Sequence, residues 1–167
     1  MNNEKHSFLS LKKHHKTQLL DEVIQNEKRL GKKIVLTSGC FDIIHMGHIL
    51  YLEEAKSLGD ILIVAINSDI SVKCLKGEQR PILDEKQRLR IIAELKSVDY
   101  SYLFDGANIA NDILQISPDV FVIGEESVAE FPEEVQAAHQ VDSEVYVIKR
   151  AHEFSTSEII KRIRRDL

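Results

Sequence analysis

From residue 33 onward the apolar positions fall into short blocks separated by longer amphipathic stretches. KIVLTSG (33–39) and ILIVAIN (61–67) are continuous, β-branched and bounded by glycine or polar residues, the pattern of strands buried on both faces. YSYLF (100–104), DVFVIG (119–124) and EVYVIK (144–149) repeat it. Between them the period lengthens. GHILYLEEAKSLG (47–59) and LDEKQRLRIIAELK (83–96) predict helices, the second after a polar loop, and shorter helices are expected near 108–115 and 131–140. Before the first strand, Leu19, Leu20, Val23, Ile24 and Leu30 share one helical face and Gly31 supplies a C-terminal cap. After the last strand, STSEIIKRIRRDL predicts a closing helix, with Ser155 and Glu158 spaced as a capping box.

Strands alternating with helices at this spacing imply βαβ units, hence an α/β fold with an open parallel sheet of five strands and helices on both faces. The division expected is residues 1–30 as an N-terminal extension carrying one helix and 31–167 as the catalytic domain. The stretch KKHHK (12–16) reads as a solvated, mobile basic segment.

Composition narrows the classes. The 167 residues, 43% of them hydrophobic, suffice for one core. A formal charge of −5 gives no general attraction to nucleic acid or an anionic membrane. The apolar runs stop well short of a bilayer span and the polar N-terminus lacks a signal-peptide stretch, so a cytoplasmic protein is expected. Cys40 and Cys74 are read as reduced thiols.

In parallel sheets of this kind ligands sit beyond the carboxyl ends of the strands. There the sequence places Gly39, Cys40, Phe41, Asp42, His45, Gly47 and His48 after the first strand, and Asn67, Lys73, Lys76 and Arg80 after the second. Gly124, Glu125 and Glu126 follow the fourth strand, and Lys149, Arg150 and Ser155-Thr156-Ser157 the fifth. Gly47 lets the backbone approach a ligand, and a helix starting there presents free N–H groups to phosphate. The two imidazoles add ring donors and the lysines and arginines add cations, as a polyphosphate transition state requires. The inventory fits nucleotidyl transfer, in which an ionised acceptor phosphate attacks the α-phosphorus of a nucleoside triphosphate and needs no strong protein base. The i, i+3 histidines are not spaced as a zinc site, and no residue is assigned as a metal ligand.

These residues resemble a family. GCFDIIHMGH looks like the signature of the HxGH nucleotidyltransferases, and STSEII looks like their closing Ser/Thr motif. More closely, residues 38–82 are similar to the adenylyltransferase domain of the ADP-heptose synthases, which act on D-glycero-β-D-manno-heptose 1-phosphate; the likeness extends over about residues 33–163. It implies a Rossmann-like sheet in strand order 3-2-1-4-5, magnesium carried with the nucleotide, and a homodimer. Together with the strand-end residues above, it gives His45, His48, Lys73 and Arg150 as the catalytic set. Gly39, Cys40, Phe41, Asp42, Gly47, Lys76, Arg88, Gly124, Glu125, Ser155, Thr156 and Ser157 form the nucleotide-binding set. The substrates implied are ATP and a sugar 1-phosphate. The Gly124-Glu125-Glu126 stretch departs from the lysine and paired glycines of heptose enzymes and looks more like the CTP-dependent glycerol-3-phosphate enzymes, which also carry an arginine near Arg150. CTP with a polyol phosphate is thus the alternative, and nucleotide binding without catalysis a second.

Overall fold

The structure is a computed structural model that describes residues 18–149 and 155–165. Arg150 and the basic segment at 12–16 lie outside the described residues. The strands are β1 (Ile34–Gly39), β2 (Ile61–Asn67), β3 (Tyr100–Phe104), β4 (Val120–Gly124) and β5 (Glu144–Ile148). The described helices are α1 (Gln18–Arg29), α2 (Met46–Ser57), α3 (Asp69–Lys76), α4 (Glu85–Ala93), α5 (Ala110–Ile116), α6 (Glu125–Glu130), α7 (Pro132–Gln140) and α8 (Thr156–Arg165).

The strands form one sheet in the order β3-β2-β1-β4-β5, every pair parallel. The expected order and class are both present. Alternation within each apolar block decides which core a side chain enters. Ile34, Leu36, Ile63, Ala65, Tyr102, Phe121 and Ile123 face one way and pack with Leu20 and Ile24 of α1, Ile113 and Ile116 of α5, and Ala137 and Ala138 of α7. Val35, Leu62, Val64, Ile66, Val120 and Val122 face the other way against Leu52 and Ala55 of α2 and Leu89 and Ile92 of α4. Each central strand therefore reads as unbroken hydrophobicity. The edge strand β5 is less covered: Glu144 and Val147 are exposed, Val145 and Tyr146 half-buried, and Ile148 buried.

Carboxylates pin the strand starts: Asp119 accepts the Ile34 N–H at 2.6 Å and Asp99 the Leu62 N–H at 2.7 Å. Gly59 is needed before β2 because a Cβ there would stand 2.6 Å from Val35 and 2.7 Å from the Lys33 carbonyl. No helix among the described residues is long and apolar enough to cross a membrane.

Two stretches depart from expectation. The polar loop expected after β2 contains a helix, α3, begun by Ser68, whose Oγ accepts the Ser71 N–H. Glu125 and Glu126, where no helix is expected, form the first turn of α6. Both helices are short and bury little: only Ser71 and Val72 of α3, and no residue of α6. Neither carries the apolar stripe from which a helix is read.

Candidate active site

The chain runs outward from β1 to β2 and β3, then returns to the other side of β1 for β4 and β5. The crevice beyond the carboxyl ends of β1 and β4 is the switch point where such sheets bind ligands. A cavity of about 1170 Å³ opens there, with Ser38 to Asp42, His45, Gly47, His48, Gly124 and Glu125 in its walls.

The loop between β1 and α2 is shaped by close packing. Phe41 takes φ +46°, a left-handed conformation unusual for a bulky residue, and is buried. Its ring lies over Gly39, where a Cβ would come within 2.9 Å of it. Asp42, also buried, accepts the Ile82 and Leu83 N–H groups at 2.8 and 3.0 Å through one oxygen and pairs with Arg80 Nε at 2.9 Å through the other. One carboxylate thus ties the loop at 80–83 to the floor of the site and holds the Arg80 guanidinium beside it as an ion pair.

α2 begins at the cavity. Its N-cap is His45 in extended conformation, whose carbonyl accepts the first intrahelical bond from His48 at 2.9 Å with no side-chain cap. The foremost N–H groups of this 12-residue helix have no intrahelical acceptor and carry the positive end of the dipole. The His45 and His48 rings stack, centroids 3.8 Å apart and 25° from parallel, and Phe41 lies 5.4 Å from His48. The i, i+3 spacing around Gly47 is what superposes the rings, so both imidazoles and the helix start meet one ligand position.

Thr156 and Ser157 at the start of α8 line the same cavity, and Thr156 Oγ1 donates to the Ile43 carbonyl at 3.4 Å. Ser155 accepts the Glu158 N–H at 3.1 Å and serves as the cap. Lys76, Arg80 and Lys149 add positive charge to the walls.

Three expected site residues among those described do not line the cavity: Lys73, Arg88 and Ser155, the last of which only caps α8. Lys73 is exposed on α3, one turn before Lys76, and does not line the cavity. Arg88 is fully buried, its guanidinium spent on the Leu83 carbonyl (3.1 Å), the Cys40 carbonyl (2.6 Å) and Asp69 (2.8 Å). It braces the loop beneath the site. Cys40 borders the cavity, but burial pushes its thiol pKa up, so it is poorly suited as a nucleophile.

The sequence reading passed over Tyr51 and Glu134. Tyr51 in α2 shares a 2.7 Å hydrogen bond with Thr37 and donates to the Val122 carbonyl at 3.2 Å, joining α2 to β1 and β4 at the cavity floor. Burial pushes its hydroxyl pKa up, so it stays a donor. Glu134 in α7 also lines the cavity. An acidic residue in a helix's first turn is ordinarily a dipole partner, which hid it. Among the described residues no group of three or more His, Cys, Asp and Glu side chains is placed to hold a metal ion.

A family model described as cytidylyltransferase-like matches residues 36–162. The bifunctional protein HldE of Campylobacter jejuni strain RM1221 is 42% identical over 158 residues, covering 95% of this chain and 33% of its own length. That of Actinobacillus succinogenes is 45% identical over 148 residues, covering 87% and 30%. The chain therefore spans about a third of the length of these relatives. A crystal structure of the lipopolysaccharide core biosynthesis protein from Thermoplasma volcanium GSS1 aligns with a TM-score of 0.60 and 33% identity, over 72% of this chain and 98% of that one. A stacked histidine pair at a helix start, set at the switch point of a 3-2-1-4-5 sheet and matched along most of its length, makes this chain a member of the cytidylyltransferase-like family of nucleotidyltransferases.

Proposed function

We propose that the protein transfers AMP from ATP to a sugar 1-phosphate, D-glycero-β-D-manno-heptose 1-phosphate, giving an ADP-sugar and pyrophosphate. The observation that carries the reading is the stacked His45–His48 pair at the uncapped start of α2. It is supported by the likeness to HldE, whose C-terminal part is an adenylyltransferase domain. An acceptor phosphate oxygen attacks the α-phosphorus in line, and the bond to pyrophosphate breaks. The two imidazoles donate ring N–H bonds to the phosphate oxygens, while Lys76 and Arg80 offset the charge that builds up. The start of α8 holds the terminal phosphates. Arg150 is assigned to the same charge neutralisation from its place after β5 in the sequence.

Magnesium fits this site as a companion of the nucleotide, because it is satisfied by phosphate oxygens and water without a cage of protein ligands. When bound it neutralises the β- and γ-phosphates and improves pyrophosphate as a leaving group. A homodimer is part of the proposal and is checked by sedimentation.

A second reading, CTP with glycerol 3-phosphate, is favoured by Gly124-Glu125-Glu126 at the end of β4, where Glu125 and Glu126 line the cavity. Thermal shift with ATP and CTP separates the two, since a ligand that binds only the folded state raises Tm. The adenylyl reading expects the larger rise with ATP and pyrophosphate release with the heptose phosphate. A response to CTP alone moves the assignment to the second.

A further inference from the structure

The cavity continues past the phosphate position to Asn67 and Phe104 at the ends of β2 and β3, to Ala107 beyond β3, and to Phe131 and Glu134 at the start of α7. Two polar side chains there are almost completely buried, Glu134 at 2% and Asn67 at 4% exposure. Each spends only part of its hydrogen-bonding capacity on the protein. Glu134 takes the Ile109 N–H at 2.9 Å on Oε1, and its second oxygen takes no bond among the described residues. Asn67 donates from its amide nitrogen to Ser71 Oγ at 2.8 Å. That assignment follows from Ser71, whose hydroxyl proton goes to the Gly106 carbonyl and which must therefore accept from Asn67. The amide oxygen of Asn67 remains as a second acceptor.

Keeping a mostly buried carboxylate charged is costly, and burial pushes the Glu134 pKa up to about 7. A ligand with hydrogen-bond donors removes the cost; a phosphate aggravates it. This end of the cavity accordingly suits hydroxyl groups. In-line displacement puts the attacking and leaving oxygens on opposite sides of the transferred phosphorus. With the terminal phosphates assigned to the start of α8, the acceptor is assigned to the far side of the cavity, where Glu134 is tied to the stretch after β3 by its bond from Ile109.

We propose that Glu134 determines acceptor specificity: its second oxygen accepts a hydrogen bond from a hydroxyl of a phosphorylated polyol, with Asn67 as the companion acceptor. The assignment rests on the nucleotidyl-transfer reading of this site. It makes the acceptor a molecule with a donor hydroxyl set away from its phosphate, and it disfavours acceptors that are carboxylates or deoxygenated there.

The test is pyrophosphate release with magnesium and ATP, or CTP, using sugar 1-phosphates and their singly deoxygenated analogues, on the wild type and Glu134→Gln. Glutamine keeps the shape and the Ile109 bond but turns a donor toward the cavity. The acceptor KM is expected to rise roughly ten- to a hundredfold, as for a hydrogen bond to a charged group, with the nucleotide KM within about twofold. One analogue that the wild type discriminates against is expected to lose that penalty in the variant. An unchanged acceptor KM in a folded variant overturns the assignment. So does equal kcat/KM for all analogues in the wild type, a result that needs no variant to fold. If the wild type binds nucleotide, seen as a rise in Tm, yet releases no pyrophosphate with any acceptor, the transfer reading itself fails and this assignment with it.

Discussion

At the residue scale the histidine pair was legible because its partners are local: His45, Gly47 and His48 lie within one turn, and a helix start after a strand places them without help from distant chain. Arg88 shows the limit of the same reasoning. Its match to a family position was plain, but its partners at Cys40 and Asp69 lie 48 and 19 residues away, and only the folded chain shows the guanidinium bracing a loop. Asp42 belongs with it. Asp42→Ala removes the acceptor of two backbone N–H groups and leaves Arg80 unpaired. It should destabilise the fold by about 3 kcal/mol and raise the nucleotide KM, measured by urea unfolding and steady-state kinetics. Glu134 makes a prediction in pH. Its folded pKa of about 7 stands above the ordinary 4.5, so the folded state holds a proton that the unfolded state releases, and stability is lost as pH rises between those values. Glu133 and Glu130 nearby and the Tyr51 and Tyr102 hydroxyls, pushed up by burial first and by the Glu134 charge to a lesser degree, offer it no cation. Glu134→Gln should therefore melt higher than the wild type at pH 8, by up to about 3 kcal/mol of stability, and close to it at pH 5. Equal melting at both values contradicts the buried carboxylate.

At the element scale, strands and long helices announced themselves through their apolar periods, whereas α3 and α6 did not, because neither buries an apolar stripe; α3 is started by the Ser68 cap and α6 has no side-chain cap. Ile70 of α3 is 74% exposed, the reverse of what an apolar residue in a helix promises. α2 carries the site and is anchored by Leu52, which is fully buried. Leu52→Ala should cost roughly 2–5 kcal/mol, read from denaturant midpoints, with kcat preserved below the new melting point. Gly39→Ala should do the opposite. The added methyl meets the Phe41 ring at 2.9 Å and must move it, and Phe41 in turn packs on His48. Nucleotide affinity should fall by about tenfold or more in titration calorimetry while the fold persists; wild-type affinity would show that the ring moves without disturbing the histidines.

At the scale of the whole molecule the class, the five strands and their order were available from alternation and resemblance, since blocks buried on both faces admit few other arrangements. The extent of the cavity was not. Asn67, Tyr51 and Glu134 reach it from β2, α2 and α7, elements that meet only once the sheet is assembled. The histidine motif, Asn67 and the start of α8 could be read in advance because they lie at or after strand ends in the chain; Tyr51 and Glu134, which enter from helices, could not. The central claim is that stacked imidazoles at the start of α2 stabilise a transferring phosphate. It is tested most directly by magnesium-dependent pyrophosphate release from ATP and heptose 1-phosphate, in the wild type and His48→Ala, with both melting temperatures recorded. The account predicts steady release by the wild type and a loss of about a hundredfold or more in kcat for the variant, with Tm little changed. Near-normal turnover in a folded His48→Ala would contradict it.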